Sequence, residues 1–149
     1  MDNGDSEPVL DKNAKLRDLV VAFFNFSYRQ LKKKFAISQN VVLRDENGRE
    51  KFKFDLVIMD YTSNERIGVW IKDWKRPVGI DVYTRFKRAI SKTNLTMGFL
   101  FANRLASGIQ SREKENIFLL HRGELISMLK KIGYWGGERR REIEELLVE

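Results

Sequence analysis

The sequence predicts an α/β chain, a mixed β-sheet flanked by helices in the order α-β-β-β-α-β-α-β-α-α. Three observations predict it. A three- and four-residue apolar period opens the chain, a two-residue period follows between Val41 and Ile71, and two short apolar runs then alternate with helical segments. A three-strand antiparallel meander followed by strand–helix–strand crossovers gives a mixed sheet covered on both faces.

The elements follow in order. Residues 1–12, acidic and carrying Gly4 and Pro8, predict a disordered tail, and residues 13–149 a single domain. Leu16, Leu19, Val20, Phe23, Phe24 and Leu31 mark a helix from Asn13 to about Ala36, ending on Lys32, Lys33 and Lys34 at the negative pole of its dipole. Val41, Val42 and Leu43 form a strand, and Asn47-Gly48 signals the hairpin turn to the next. Phe52, Phe54, Leu56 and Ile58 alternate there, and Ile67, Val69 and Ile71 alternate after a turn over residues 62–65. Beyond the Pro77–Gly79 break, residues 80–92 predict a helix with Val82, Phe86, Ala89 and Ile90 on one face. Met97–Ala102 and Ile117–Leu120 have the composition of buried parallel strands, with a polar helix expected between them at 108–116. Helices over 123–132 and 138–148 close the chain, the last opened by Arg139, Arg140 and Arg141.

Composition narrows the chemistry. With 149 residues and 42% apolar side chains the chain can build one core. It has no cysteine and a single histidine, His121, so disulfides, thiolate metal sites and histidine clusters are excluded. A cytoplasmic, reducing setting is expected, and any metal would be a hard ion such as magnesium or manganese held by carboxylates. No apolar run reaches the ~20 residues of a membrane span, and the acidic amino terminus does not read as a signal peptide. The net charge is +7, yet residues 1–12 carry Asp2, Asp5, Glu7 and Asp11 against Lys12, so the body is more basic than the whole. A basic body points to a polyanion such as nucleic acid, although a solvated surface would look the same.

Two segments carry a likeness to a known superfamily: Lys53-Phe54-Asp55-Leu56-Val57, and Val69-Trp70-Ile71-Lys72-Asp73-Trp74-Lys75-Arg76-Pro77-Val78-Gly79. With the element order, they make the chain resemble the PD-(D/E)xK, restriction-endonuclease-like nucleases, nearest to archaeal Holliday-junction resolvases and Mrr-like endonucleases. In that family an aspartate ending one strand and an acid in the next hold a metal, which stabilises charge and generates hydroxide. A lysine two residues after the acid lies on the same strand face. The resemblance therefore implies Asp55 and Lys72 as catalytic residues, with Asp55 a metal ligand. Trp70 stands where the second acid belongs, and an indole has no oxygen to offer a hard cation. Asp18, on the first helix where relatives carry a glutamate, is a possible second ligand. Asp73 lies on the strand face opposite Lys72 and would serve only through a bulge.

Lysine is seldom buried unpaired, so Asp55 is expected beside Lys72, as a salt bridge retained from a catalytic site. Trp70 either stacks on a base or fills the volume of a lost metal site. Lys72, Lys75, Arg76, Arg85, Lys87, Arg88 and Lys92, with Trp74, are the expected nucleic-acid contacts. Lys32 to Lys34 and Arg139 to Arg141 read more simply as solvated or helix-paired charge. Tyr83 and Phe86 are candidates for a face shared with a partner, since relatives often dimerise nearby. The expected function is a DNA-binding scaffold or regulator with an eroded metal centre, acting on duplex or branched DNA as a homodimer or beside a related protein, and with no membrane partner. The alternatives are a magnesium- or manganese-dependent endonuclease using Asp18, Asp55 and Lys72, and a subunit binding an acidic protein.

Overall fold

The computed structural model describes residues 9–136. Their order is α1 (Leu16–Gln30), β1 (Phe35–Arg44), β2 (Lys51–Asp60), β3 (Glu65–Lys72), α2 (Ile80–Lys92), β4 (Met97–Ala102), β5 (Arg112–Lys114), β6 (Ile117–His121) and α3 (Arg122–Lys131). The described strands form one sheet in the order β1-β2-β3-β4-β6-β5. The β1–β2–β3 meander is antiparallel, β3, β4 and β6 run parallel, and β5 returns antiparallel to β6. The sheet is thus mixed, with helices packed on it as the alternating periods predict. No described helix is long and apolar enough to cross a membrane.

Each face of the sheet has its own core. On one, Val82, Phe86, Ala89 and Ile90 of α2 pack on Phe52, Phe54, Val57, Leu100 and Leu119. On the other, Leu16, Leu19, Val20 and Phe24 of α1, with Leu125 and Leu129 of α3, cover Leu56, Ile58, Ile67, Val69, Ile71 and Phe101. The paired glycines Gly68 and Gly98 lie against Ile90 of α2, with no room for a side chain at either position. A Cβ at Gly98 would lie 2.7 Å from Ile90 Cγ1 and 2.8 Å from Phe86 Cζ. Gly98→Ala should therefore overpack this contact and destabilise the fold by about 1–3 kcal/mol. An unchanged denaturant midpoint would show that α2 can shift away at little cost.

Four expectations change. The first helix ends at Gln30, not near Ala36. Lys32 then turns the chain with φ 55°, and Lys33 Nζ donates to the buried Asp60 carboxylate at 2.7 Å instead of ending a helix. The first strand is longer than the apolar triplet Val41–Leu43, because the polar residues Ser38, Gln39 and Asn40 lie within it. No helix occupies 108–116; β5 and β6 form a hairpin there, with Lys114 facing Ile117. Glu115 and Asn116 between them have φ 54° and 65°, the paired positive values that a type I′ turn requires. Finally, Tyr83 and Phe86 are buried in the α2 core, so neither offers a face to a partner. The helix expected over 138–148, with Arg139 to Arg141, lies outside the described residues, as do residues 1–8 of the acidic tail.

Candidate functional site

The strands β2 and β3 part company halfway along. Their pairing runs from Asp60–Glu65 to Leu56–Val69 and stops there, although β2 extends back to Lys51 and β3 on to Lys72. A change of face accompanies the split. In a regular strand, residues two apart share a face. Here Phe52 and Phe54 pack on the α2 side, whereas Leu56 and Ile58 pack on the α1 side. Along β1, Val41 and Leu43 lie toward α2, and Ile37 toward α1. Both strands thus exchange faces at the same level, between Gln39–Leu56 and Val41–Phe54. Asn40 has φ 55° at that level, a left-handed conformation that asparagine tolerates better than most residues. Asp55 is its neighbour across the ladder, at the crotch of the fork.

Asp55 is tightly engaged. Its Oδ1 accepts from Arg17 Nη2 at 2.6 Å, and its Oδ2 accepts from the Ile71 backbone N–H at 2.7 Å. Arg17 Nη1 donates to Gln39 Oε1 at 3.2 Å and to the Asp55 carbonyl at 3.4 Å, and Nη2 reaches Asn40 Oδ1 at 3.5 Å. The ion pair is partly shielded, with side-chain exposures of 33% for Arg17 and 25% for Asp55. Asp55's ionic partner is therefore Arg17 and not Lys72, contrary to the salt bridge expected between Asp55 and Lys72.

Lys72 is instead flanked by aromatic rings. Its Nζ lies 4.5 Å from the Trp70 ring centroid and 5.4 Å from that of Trp74, and the Arg76 guanidinium lies 4.4 Å from the Trp74 ring. The alternation of Trp70, Lys72, Trp74 and Arg76 thus becomes a ladder of rings and cations. Burial pushes the Lys72 amine below the ordinary lysine range; the Asp55 charge opposes that shift, and the Arg85 charge adds to it. Trp70 is locked by Nε1–H donating to the Lys53 carbonyl at 2.8 Å, and its ring packs against Phe54 and Phe86.

The other acids go elsewhere. Asp73 turns to the opposite face, as its alternation predicts. Its Oδ2 accepts from the Leu16 backbone N–H at 3.1 Å, which satisfies an open donor at the start of α1 that the Lys15 side chain leaves uncapped. Its Oδ1 accepts from Asn103 Nδ2 at 2.6 Å, and Asn103 Oδ1 in turn accepts from Arg122 Nε at 2.8 Å. Asp73 thus ties the ends of β3, β4 and β6 to α1. Asp18 is exposed on α1, and it is its neighbour Arg17 that reaches Asp55. Among the described residues no three His, Asp or Glu side chains gather to hold a metal ion. The residues at the fork do not fit a divalent metal: both Asp55 oxygens are engaged, a guanidinium lies against one of them, and the neighbouring Trp70 side chain carries no oxygen.

A cleft of about 670 Å³ opens between the fork's arms and α2. Lys72, Arg85 and Arg88 line it, with Lys51 and Lys53, which the sequence reading missed. Arg88 is committed to a two-pronged ion pair with Glu50, whose carboxyl is held below its ordinary range chiefly by that hydrogen bond. Lys75 and Arg76 are exposed beyond β3, and Lys92 is exposed at the end of α2. Lys87 lies with its amine 5.7 Å from the Tyr83 ring. Arg17 was the larger omission. The polar interruption Ser38-Gln39-Asn40 in an apolar strand was the signal for it, because such residues need partners at the level of Asp55.

No protein-family model matches the chain, and no curated protein matches it. Among solved structures it is similar to the crystal structure of a protein of unknown function, AF1548, at 14% identity and a TM-score of 0.43. The likeness covers 60% of this chain and 49% of that one, so it spans about half of that protein's length.

Proposed function

We propose that this chain is a DNA-binding protein of restriction-endonuclease-like fold whose metal centre has been replaced by a protein ion pair, and that it acts as a binding, scaffolding or regulatory factor. The observation that carries this reading is the fork itself. Asp55 sits at its crotch, Trp70 and Lys72 lie on its second arm, and lysines and arginines border it. Those are the positions at which the family resemblance puts a metal aspartate, a second acid and a lysine. The meander followed by a crossover to a parallel strand also agrees with that family's arrangement. Arg17 on the Asp55 oxygen favours binding over magnesium-dependent cleavage, and the net charge of +7 supplies the attraction for a polyanion.

Fluorescence anisotropy with duplex and four-way-junction DNA tests the reading. Affinity is expected to fall steeply between 50 and 200 mM salt, as counterion release requires (roughly a hundredfold or more for several phosphate contacts). Negligible binding at low salt, or binding indifferent to salt, would reject it. Lys72→Met should lower the salt slope by about one. The same substitution should stabilise the fold at neutral pH, since it removes a charge that the folded state disfavours. The sign follows from the lowered amine: the penalty is present below its folded value and is relieved as pH rises toward about 10.4, the ordinary lysine value. The stability gap between variant and wild type should therefore narrow at alkaline pH, as thermal melts across pH would show.

A further inference from the structure

Resting on that DNA-binding reading, we propose that the fork seats one unpaired nucleotide of a DNA strand, its base against the apolar wall and its phosphate on the cations. The site would then prefer DNA carrying an extruded or unpaired nucleotide over intact duplex. Size is the first reason. A volume of about 670 Å³ lies in the range of ~300–1,000 Å³ typical of small-ligand pockets. A duplex is far larger than this cleft, whereas a single nucleotide fits within it.

The mixed lining is the second reason. Lys53, Lys72 and Arg85 line the cleft without an ion pair among the described residues, and they suit a phosphate. Phosphate contact alone leaves the remaining lining unexplained. Val42 lines the same cleft at 50% exposure, beside Val41, Phe54 and the locked Trp70 indole. An apolar surface next to cations complements a molecule with a flat, uncharged ring joined to an anion. A nucleotide has that form, and its base becomes available for such contact only when unstacked. Trp70, fixed by the Lys53 carbonyl and packed on Phe54 and Phe86, gives the wall a rigid position before any ligand arrives.

The test compares three probes on the intact chain: a duplex with one bulged 2-aminopurine, the same duplex fully paired, and free deoxyadenosine monophosphate. The bulged duplex should bind about tenfold more tightly than the paired one, in line with the stacking of one base, and the 2-aminopurine emission should change on binding. Val42→Asn should reduce that preference to about threefold or less, and Arg85→Ala should weaken both duplexes. Equal affinity for bulged and paired duplex would overturn the proposal while leaving DNA binding in place. Free mononucleotide matching the bulged duplex would overturn it in favour of a soluble nucleotide as ligand. Failure of both duplexes to bind at low salt would remove this proposal together with the reading it rests on.

Discussion

Arg17→Met combined with Trp70→Glu is expected to create a manganese site that neither substitution creates alone. The guanidinium of Arg17 lies against Asp55 Oδ1 at 2.6 Å, so a cation approaching that oxygen meets a charge of its own sign. Trp70, one residue before the Ile71 N–H that holds Oδ2, is positioned to present a second carboxylate once it becomes glutamate. Trp70→Glu alone leaves the guanidinium in place, and the new carboxylate is expected to pair with Arg17 or Lys72. Arg17→Met alone leaves a single carboxylate, too weak a donor set for a hard divalent ion. Each change has a stability cost. Loss of the charged hydrogen bonds of Arg17 should remove about 2 kcal/mol, and loss of the Trp70 packing against Phe54 and Phe86 about 3 kcal/mol. Binding is best read as manganese-dependent stabilisation, since ligand at a hundred times its dissociation constant adds about 2.7 kcal/mol. Electron paramagnetic resonance of bound manganese gives an independent count. If Trp70→Glu alone binds manganese as tightly as the double variant, Arg17 is no obstacle to a metal, and the proposed replacement of a metal centre by the Arg17–Asp55 ion pair fails.

Asp60→Ala should be the most damaging single change to the fold outside the apolar cores. The side chain is only 2% exposed. It accepts from Lys33 Nζ at 2.7 Å, from the Thr62 N–H at 3.0 Å and from the Ser63 N–H at 3.1 Å. One carboxylate therefore organises both the β2–β3 turn and the passage from α1 into β1. Burial pushes its carboxyl up, but the hydrogen bonds and charge of Lys33 and the Ser63 bonds outweigh that and hold it below the ordinary range. A carboxylate lowered in the folded state contributes stability above its unfolded value of about 3.9, and that stability is lost as pH falls through the folded value. Removing it should cost about 3 kcal/mol near neutrality, because Lys33 is left without its partner and two turn N–H groups lose their acceptor. Asp60→Asn should keep the turn bonds and lose less. Both variants should be less sensitive than wild type to acid below about pH 4. An acid-unfolding profile for Asp60→Asn that coincides in shape with wild type would assign the acid transition to other groups.

How far the sequence could be read differs by element, for reasons visible in particular residues. Alternation along Phe52–Ile58 and Ile67–Ile71 identified the meander because each half of those strands buries an apolar face. The helix over 80–92 was legible because Val82, Phe86, Ala89 and Ile90 recur on one stripe. The β5–β6 hairpin was not: its strand is three residues long and polar, and the turn depends on left-handed φ at Glu115 as well as Asn116. Opposite faces for Asp73 and Lys72 followed from alternation alone, and the chain obeys it.

At the fork, the sequence by itself determined the inventory: an aspartate before Leu56, a lysine two residues after an indole, and no cysteine or histidine cluster to offer another chemistry. Only the tertiary structure decided the pairings. Asp55 and Lys72 are close enough for their charges to act on one another, yet Arg17, thirty-eight residues away in sequence, holds the carboxylate, and two indoles flank the amine. That choice depends on β1 and β2 exchanging faces together at Asn40 and Asp55. Such a switch arises between two strands in register, and no periodicity within either strand alone specifies it.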